Sequence, residues 1–550
     1  MPKPAVVHSL LPHSMRRVYV LVAVAALLAA VHLPTPSRGS VEWVLQQVQV
    51  LHRHGSRSAV PTYNTTAICG STPCGFLNPE GEMMMRNMGS FLRTRYNTDE
   101  TVVDEPFLLS SDYDLSVVES RSTDMERTLQ SAHMLLAGMF PNESRLLPAI
   151  HTVPMSQDMM LYTFSQPWVA LYTTYAGAAQ SARMNPTIDR YFPDWTELRD
   201  LGAAVWSEGY CSNYTTRLGC AIMVYDISSA KLAVGELPVG VAARYDDLRE
   251  IIAEWYRGMW HYDPSNSFSV QQGGRGQLFL KQVVENMDDF VAGRNTYKVM
   301  HYSGHDISLG AVWGTLGDKG VHAMQPPYAQ AFVLELVKNA RSGEYGVRVL
   351  RGWPGQTPDT GFTFSWDPTW QLQCQRSNGM NYAATDNLCP LEDFRRYVSW
   401  TVGTDPRGMC LLDEETSAVL GCPAIEEEQT VSVALPESCL LYRSACPAYA
   451  CAPGYVLSAP GSQCKCTSAS CLDVGGHGSG NLVNLTVKMS GVSAGAVAGI
   501  SIGMFCVGAA FSVAASLIVL ALMNRGGGFV HRLGPHDKSL AHVEPLRQDL

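Results

Sequence analysis

The spacing of apolar positions changes several times along the chain, and each change marks an element. Val44, Val48 and Val50 lie in an apolar-rich run that reads as a buried strand. From about Pro79 to Tyr96, Met84, Met88 and Phe91 recur at helical spacing and predict a helix. Thr123 with Glu126 has the form of a capping box, so a second helix is expected from Thr123, with Met125, Leu129, Ala132 and Leu136 as one stripe. Residues 150–290 are helical in pattern: Leu248, Ile252, Trp255 and Met259 mark one helix, and Leu280, Val284, Met287 and Val291 another. No strand–helix alternation interrupts that stretch, which reads as a helical insertion. A second short strand, Tyr297–Tyr302, leads into a helix carrying Ile307, Val312 and Leu316. Phe332–Leu336 and Val347–Leu350 alternate on either side of Asn339–Glu344, which predicts a hairpin.

Two apolar segments of different length lie near the ends. Val18–Val31 follows Arg16-Arg17 and precedes the turn-forming Pro34–Gly39, the layout of a secretory signal, with an uncleaved anchor as runner-up. Ser493–Met523 carries no charge and is long enough to cross a bilayer. Gly495, Gly499 and Gly503 recur within it, and Arg525 and Arg532 follow it, which assigns the tail to the cytoplasm. The expected protein is single-pass type I, with its bulk lumenal or extracellular, at an endosomal or lysosomal membrane or the cell surface. Sequons at Asn64, Asn142, Asn213 and Asn484 all precede the span. Of 15 cysteines, all but Cys506 precede the span, as suits a disulfide framework in an oxidising compartment. Cys69 with Cys74 and Cys211 with Cys220 are close enough for local pairs. Eight cysteines fall between Thr401 and Cys471 among many Pro, Gly and Ser, which reads as a stapled module or stalk with little core of its own. Zinc on Cys464 and Cys466 is the weaker reading there. The division expected is a signal at 1–39, a catalytic domain in two halves at 40–150 and 291–397, and a helical subdomain at 151–290. A cysteine-rich module at 398–471, a tether at 472–492, the span at 493–523 and a tail at 524–550 follow.

A formal net charge of -10 argues against nucleic acid as the main partner, because a phosphate-backbone binder needs a basic face. A small phosphate ester needs only a local basic pocket, and the first strand ends in one: Arg53-His54-Gly55-Ser56-Arg57. Arginine forks match phosphate oxygens by charge and by paired hydrogen bonds. A histidine between them has the geometry to attack phosphorus, and Gly55 lets the backbone turn or approach a ligand closely. Arg121 stands just ahead of the expected helix start, where amides and the dipole favour an anion; pairing with Asp124 or Glu119 is the alternative. The second strand ends in Ser303-Gly304-His305-Asp306. His52, His54, His301 and His305 come without a Cys or carboxylate set at ligand spacing, so neither metal nor cofactor is assigned. Trp168, Tyr172, Trp206, Tyr210 and Trp260 read as packing rather than as the lining of a substrate mouth.

Together these residues resemble the histidine acid phosphatase family. Arg53–Arg57 matches its R-H-G-x-R, and Leu77–Tyr96 is similar to its first helix. Arg121–Asp124 with Arg127–Ala132 is similar to its R-S-T-D…R-T-x-x-S-A segment, and His305-Asp306 matches its H-D. Cys389–Glu392 resembles a segment near the end of the catalytic domain. The resemblance covers roughly residues 42–397, and among subgroups it is nearest the membrane-bound acid phosphatases of trypanosomatid parasites. It implies an α/β fold of the phosphoglycerate-mutase-like, three-layer type with a smaller inserted helical domain. It also implies hydrolysis of phosphate monoesters through a phosphohistidine. His54 would be the nucleophile and Asp306 the proton donor, with Arg53, Arg57, Arg121 and His305 on the phosphate. The partners expected are small phosphomonoesters and the lipid bilayer, with a homodimer as candidate assembly. A phytase or inositol-polyphosphate phosphatase, or a silent receptor or adhesion ectodomain, is the alternative. Against the phytase, the insert's Arg183, Arg190, Arg199, Arg217, Lys231 and Arg244 are scattered rather than clustered.

Overall fold

In the computed structural model the first strand, β1 (Trp43–Arg53), lies at the centre of a mixed sheet. The structure describes residues 42–446 apart from 143–144, 356–360, 365–369, 406 and 423–435, together with 455–457 and 464–466. The expected signal, tether, span and tail, and Asn484, lie outside the described residues. β1 pairs in parallel with β3 (Val299–Gly304), from Val48 opposite Val299 to Arg53 opposite Gly304, and β2 (Val118–Ser122) adds in parallel beyond β3. On its other edge β1 meets β4 (Ala331–Asn339) antiparallel, followed by β5 (Tyr345–Pro354) and β6 (Phe362–Phe364). β4 and β5 are the expected hairpin. A ribbon of β7 (Gln373–Gln375) and β8 (Asn381–Ala383) stands apart, and β9 (Leu388–Pro390) pairs with β5. A strand with neighbours on both edges and helices on both faces is buried along most of its length, so from Gln47 onward even the polar Gln47, Gln49 and His52 are enclosed beside Val48, Val50 and Leu51.

Helices α1 (Pro79–Thr98) and α2 (Glu126–Met139) cover one face of the sheet. There Met85, Met88, Leu92 and Tyr96 pack with Val48, Val50, Leu135 and Leu136. The stripe on α1 is thus one residue out of phase with the expected one at two of its three positions, with Met84 and Phe91 only partly buried. Three consecutive methionines, Met83 to Met85, suit either phase, and the sheet selects Met85.

The insertion contributes α3 (Pro167–Tyr175), α4 (Gly177–Tyr191), α5 (Trp195–Val205), α6 (Arg217–Ala233) and α7 (Tyr245–Trp260). The last helix expected of it, α8 (Gln277–Val291), instead lies on the second face of the sheet. Gln49 Nε2 on β1 donates to the Val283 carbonyl at 2.9 Å, and Asn286 Nδ2 donates to Tyr302 Oη at 2.7 Å. α9 (Asp306–Thr315) completes that layer.

After α10 (Leu391–Trp400) the chain returns to the helical side. Gln272 Nε2 donates to the Leu411 carbonyl at 2.5 Å. Leu420 of α11 (Glu414–Leu420) and Tyr442 of α12 (Glu437–Ala445) join the same core as Trp168 and Tyr172. The described part of the 398–471 segment up to Cys446 is therefore docked, with a core shared with the insertion, rather than a free stalk. Its Cys410–Cys446 and Cys422–Cys439 disulfides stand beside Cys374–Cys389 and the two expected local pairs, Cys69–Cys74 and Cys211–Cys220. Among the described residues no helix is long and apolar enough to cross a membrane. Asn64 and Asn213 are exposed, whereas Asn142 is half-buried and its amide donates to Asp112 Oδ1 at 2.6 Å.

Candidate active site

β1 and β3 end side by side, so the in-register pair Arg53 and Gly304 sets His54 beside His305. Their rings stand 5.6 Å apart, edge to face. Both are buried, at 2 % exposure each. The loop after His54 presses backbone to backbone on the first turn of α1. A Cβ on Gly55 would lie 2.4 Å from the Gly81 carbonyl oxygen, and one on Gly81 would lie 2.0 Å from that of Ser56. Gly55 thus serves the approach of α1. Asn78, the N-cap of α1, fastens the same contact: it accepts from Gly81 N at 2.8 Å and donates to Ser56 Oγ at 2.9 Å.

The hydrogen bonds determine the His54 tautomer. Nδ1 lies 2.8 Å from the Gly55 carbonyl. A carbonyl only accepts, so Nδ1 carries the proton and Nε2 keeps its lone pair. Burial, followed by the charges of Arg127, Arg53 and Arg57, holds the imidazole well below its ordinary pKa, so it stays neutral in acid.

Each nearby guanidinium is held differently. Arg53 donates to the Pro326 carbonyl at 2.5 Å, pairs with Asp306 at 2.9 Å and lies over the Tyr328 ring at 4.4 Å. Arg57 pairs with Asp226 of α6 at 2.7 Å, and the same carboxylate accepts from Val60 N at 2.7 Å. Burial opposes ionisation of Asp226, but the Arg57 charge and these hydrogen bonds outweigh it and hold the carboxyl below its usual range. Arg127, in the first turn of α2, has no hydrogen-bond or ion-pair partner among the described residues, and its Nε is buried. Burial, then the neighbouring Arg57 charge, lowers its pKa to about 10.

Arg121 is elsewhere. It lies on β2 opposite Tyr302, pairs with the buried Asp158 at 2.7 Å, and is not among the charges acting on His54. The reason is the pleat: Ser120 and Ser122 face the core, so Arg121 points the other way with Glu119. Thr123 is no N-cap either. α2 starts at Glu126, and the Thr128 hydroxyl donates to the Thr123 and Met125 carbonyls. Thr123 Oγ1 therefore donates to Thr128 at 2.8 Å and accepts from His305 Nε2 at 2.9 Å, which orients that ring. Sequence reasoning passed over Arg127, although it opens the quoted R-T-x-x-S-A segment. Asp226 has no local signal, being 169 residues from Arg57.

His52 and His301 form a hydrogen-bonded relay behind His54. His52 Nδ1 donates to the Arg53 carbonyl at 3.0 Å, so its Nε2 accepts from His301 Nε2 at 2.8 Å, and His301 Nδ1 accepts from Ser120 Oγ at 2.8 Å. Both rings are neutral; burial brings His52 from 6.5 to about 4. His54, His301 and His305 are lowered by burial as well. Below pH 6.5 the unfolded chain binds protons that the fold refuses, so stability must fall as pH drops toward 4. Each such histidine costs about 1.4 kcal/mol per pH unit in that window. Denaturant melts of the ligand-free protein between these limits are expected to show the loss; a flat profile would contradict it.

The Histidine phosphatase superfamily (branch 2) model matches residues 44–219. The chain is 28% identical to human testicular acid phosphatase over 57% of its own length and 72% of that protein's. It is 26% identical to the lysosomal acid phosphatase of Xenopus laevis, over 69% of this chain and 83% of the relative. With human lysosomal acid phosphatase the identity is 27%, over 61% and 81%.

Proposed function

We propose that this chain works as a histidine acid phosphatase on phosphate monoesters, as its similarity to the lysosomal and testicular acid phosphatases supports, and that its residues divide the work as follows. His54 Nε2 attacks phosphorus in line; the P–Nε2 bond forms as the bond to the ester oxygen breaks. Asp306 in its protonated form gives its proton to the departing alkoxide. Water then attacks the phosphohistidine, Asp306 takes a proton from it, and phosphate leaves with His54 neutral again. Arg53, Arg57 and Arg127 hold the phosphate oxygens and offset charge in the transition state, while His305, expected on the phosphate, donates its Nε2 proton to Thr123 and packs against His54. Arg127 takes the role first expected of Arg121. The observation that carries this reading is the lone pair on His54 Nε2 beside a cation that has no counter-ion of its own.

Simple monoesters suit the site better than inositol polyphosphates. Arg217 and Arg244 of the insertion are spent on carboxylates, the first on Asp189 and the second on Glu197 and Asp247, and the other basic side chains there do not cluster. Five disulfides and the apolar 493–523 segment support a type I protein with its catalytic domain in an oxidising, acidic compartment, such as an endosome or lysosome.

Trapping tests the route. Wild-type protein mixed with a labelled phosphomonoester at acidic pH and quenched into alkaline denaturant, at rapid-quench times, should retain a base-stable, acid-labile label. Phosphate release with no label at any time would remove the covalent step. Asp306→Asn separately tests the proton donor. It should slow alkyl phosphates far more than p-nitrophenyl phosphate, whose leaving group needs little help. Equal slowing of both would count against that role.

A further inference from the structure

Four arginines among the described residues are less than a tenth exposed: Arg53, Arg57, Arg351 and Arg275. Asp306, Asp226 and Asp318 pair with the first three. Among the described residues Arg275 has no carboxylate within 4.0 Å and its Nη1 has no hydrogen-bond partner, although Nη2 donates to Gln272 Oε1. A buried cation without a counter-ion is costly, and folds rarely keep one without a use. Its surroundings suggest the use. Arg275 lies 4.5 Å over the Trp168 ring, which stacks on Tyr172 at 4.7 Å. All three line a cavity of about 240 Å³ on the helical side, with Arg183 on another wall and Asp413 and Glu415 also on its lining. None of the groups around His54 lines it. Burial lowers the pKa of Arg275 to about 9, with Asp413 the one opposing charge that acts on it.

We propose that this cavity is a second ligand site, for a small monoanion with a flat apolar body, an arylcarboxylate in chemical class. Arg275 would supply the fork that a carboxylate fits, and the Trp168–Tyr172 stack the flat wall against which a ring packs. Trp168 Nε1 and Trp260 Nε1, of residues on the same lining, also lack partners among the described residues and add to the excess of donors over acceptors. Asp413 and Glu415 repel a second negative charge, which disfavours phosphate dianions and dicarboxylates.

The test is calorimetric titration of the full-length protein with benzoate, its catalytic site held saturated by orthophosphate. Wild type should bind one benzoate and ignore neutral benzamide. Arg275→Gln should weaken benzoate binding roughly tenfold or more through loss of a charge-assisted hydrogen bond. It should keep both kcat/KM on p-nitrophenyl phosphate and cooperative melting. If Arg275→Gln does not fold, Arg183→Gln on the cavity wall takes its place with the same expected direction. No heat from wild type, equal binding by the variants, equal binding of benzamide, or displacement of benzoate by orthophosphate would each overturn the proposal.

Discussion

Replacing His54 with alanine is expected to lower kcat by on the order of 10⁴–10⁶, the scale seen when a covalent nucleophile is removed, and to eliminate the phosphoryl label. The expectation rests on geometry. Nδ1 is tied to the Gly55 carbonyl at 2.8 Å, so the free lone pair is on Nε2, among three guanidinium groups that would gather a phosphate. Among the described residues no other side chain facing that cluster is a comparable neutral nucleophile: His305 spends Nε2 on Thr123, and Asp306 is paired with Arg53. The variant should fold. It leaves a cavity, but it also removes a ring that the fold must keep neutral beside Arg53, Arg57 and Arg127. Circular dichroism and a thermal melt alongside the kinetics separate loss of chemistry from loss of structure. A folded His54→Ala protein that retained a tenth of wild-type turnover would sink the nucleophile assignment.

Arg127→Ala and Arg121→Ala should fail in opposite ways. Arg127 faces the proposed phosphate site with no ion-pair partner among the described residues, so its removal is expected to cost about 10²–10³ in kcat/KM, as for the loss of one transition-state donor. Orthophosphate inhibition should weaken with it. The same change should raise the melting temperature of the ligand-free protein, since it relieves repulsion from Arg57. Arg121 lies elsewhere, with its guanidinium on the buried Asp158, whose carboxyl burial already pushes up. Its loss strands that carboxylate and should cost about 3 kcal/mol of stability. The cost sits at the low end because the Arg121 side chain is 27 % exposed. Asp158 also accepts from Leu161 N at 3.1 Å, in the loop whose Tyr162 packs on His305, so a modest rise in KM is expected with kcat nearly intact. Steady-state kinetics and denaturant melts on both variants decide the matter. If Arg121→Ala shows the larger loss of phosphate affinity, the assignment of the third cation reverses.

The pair of strand ends was legible because each is local. Arg53, His54 and Arg57 are held within five residues by covalent connection, and an apolar run meeting a polar His-Gly motif marks a strand end wherever it occurs. The hairpin after Phe332, the helix after His305 and the Cys69–Cys74 and Cys211–Cys220 pairs were readable for the same reason. Arg121 against Arg127 was harder, though the alternation of Ser120, Arg121 and Ser122 already held the signal. An apparent capping box at Thr123 hid it by moving the expected helix start three residues early.

By itself, then, the sequence determined the chemistry on offer: an imidazole between arginines at one strand end, a His-Asp at another, and an oxidising setting written in cysteines. It did so because those relations are short-range. Only the tertiary structure decided which cation completes the site, that Asp226 crosses from the insertion to hold Arg57, and that α8 belongs to the sheet. It alone placed the docked cysteine-rich segment beside Arg275, which has no carboxylate partner among the described residues. These choices depend on which faces meet across long stretches of chain, and side-chain packing selects them among phases and partners that the sequence leaves equally open.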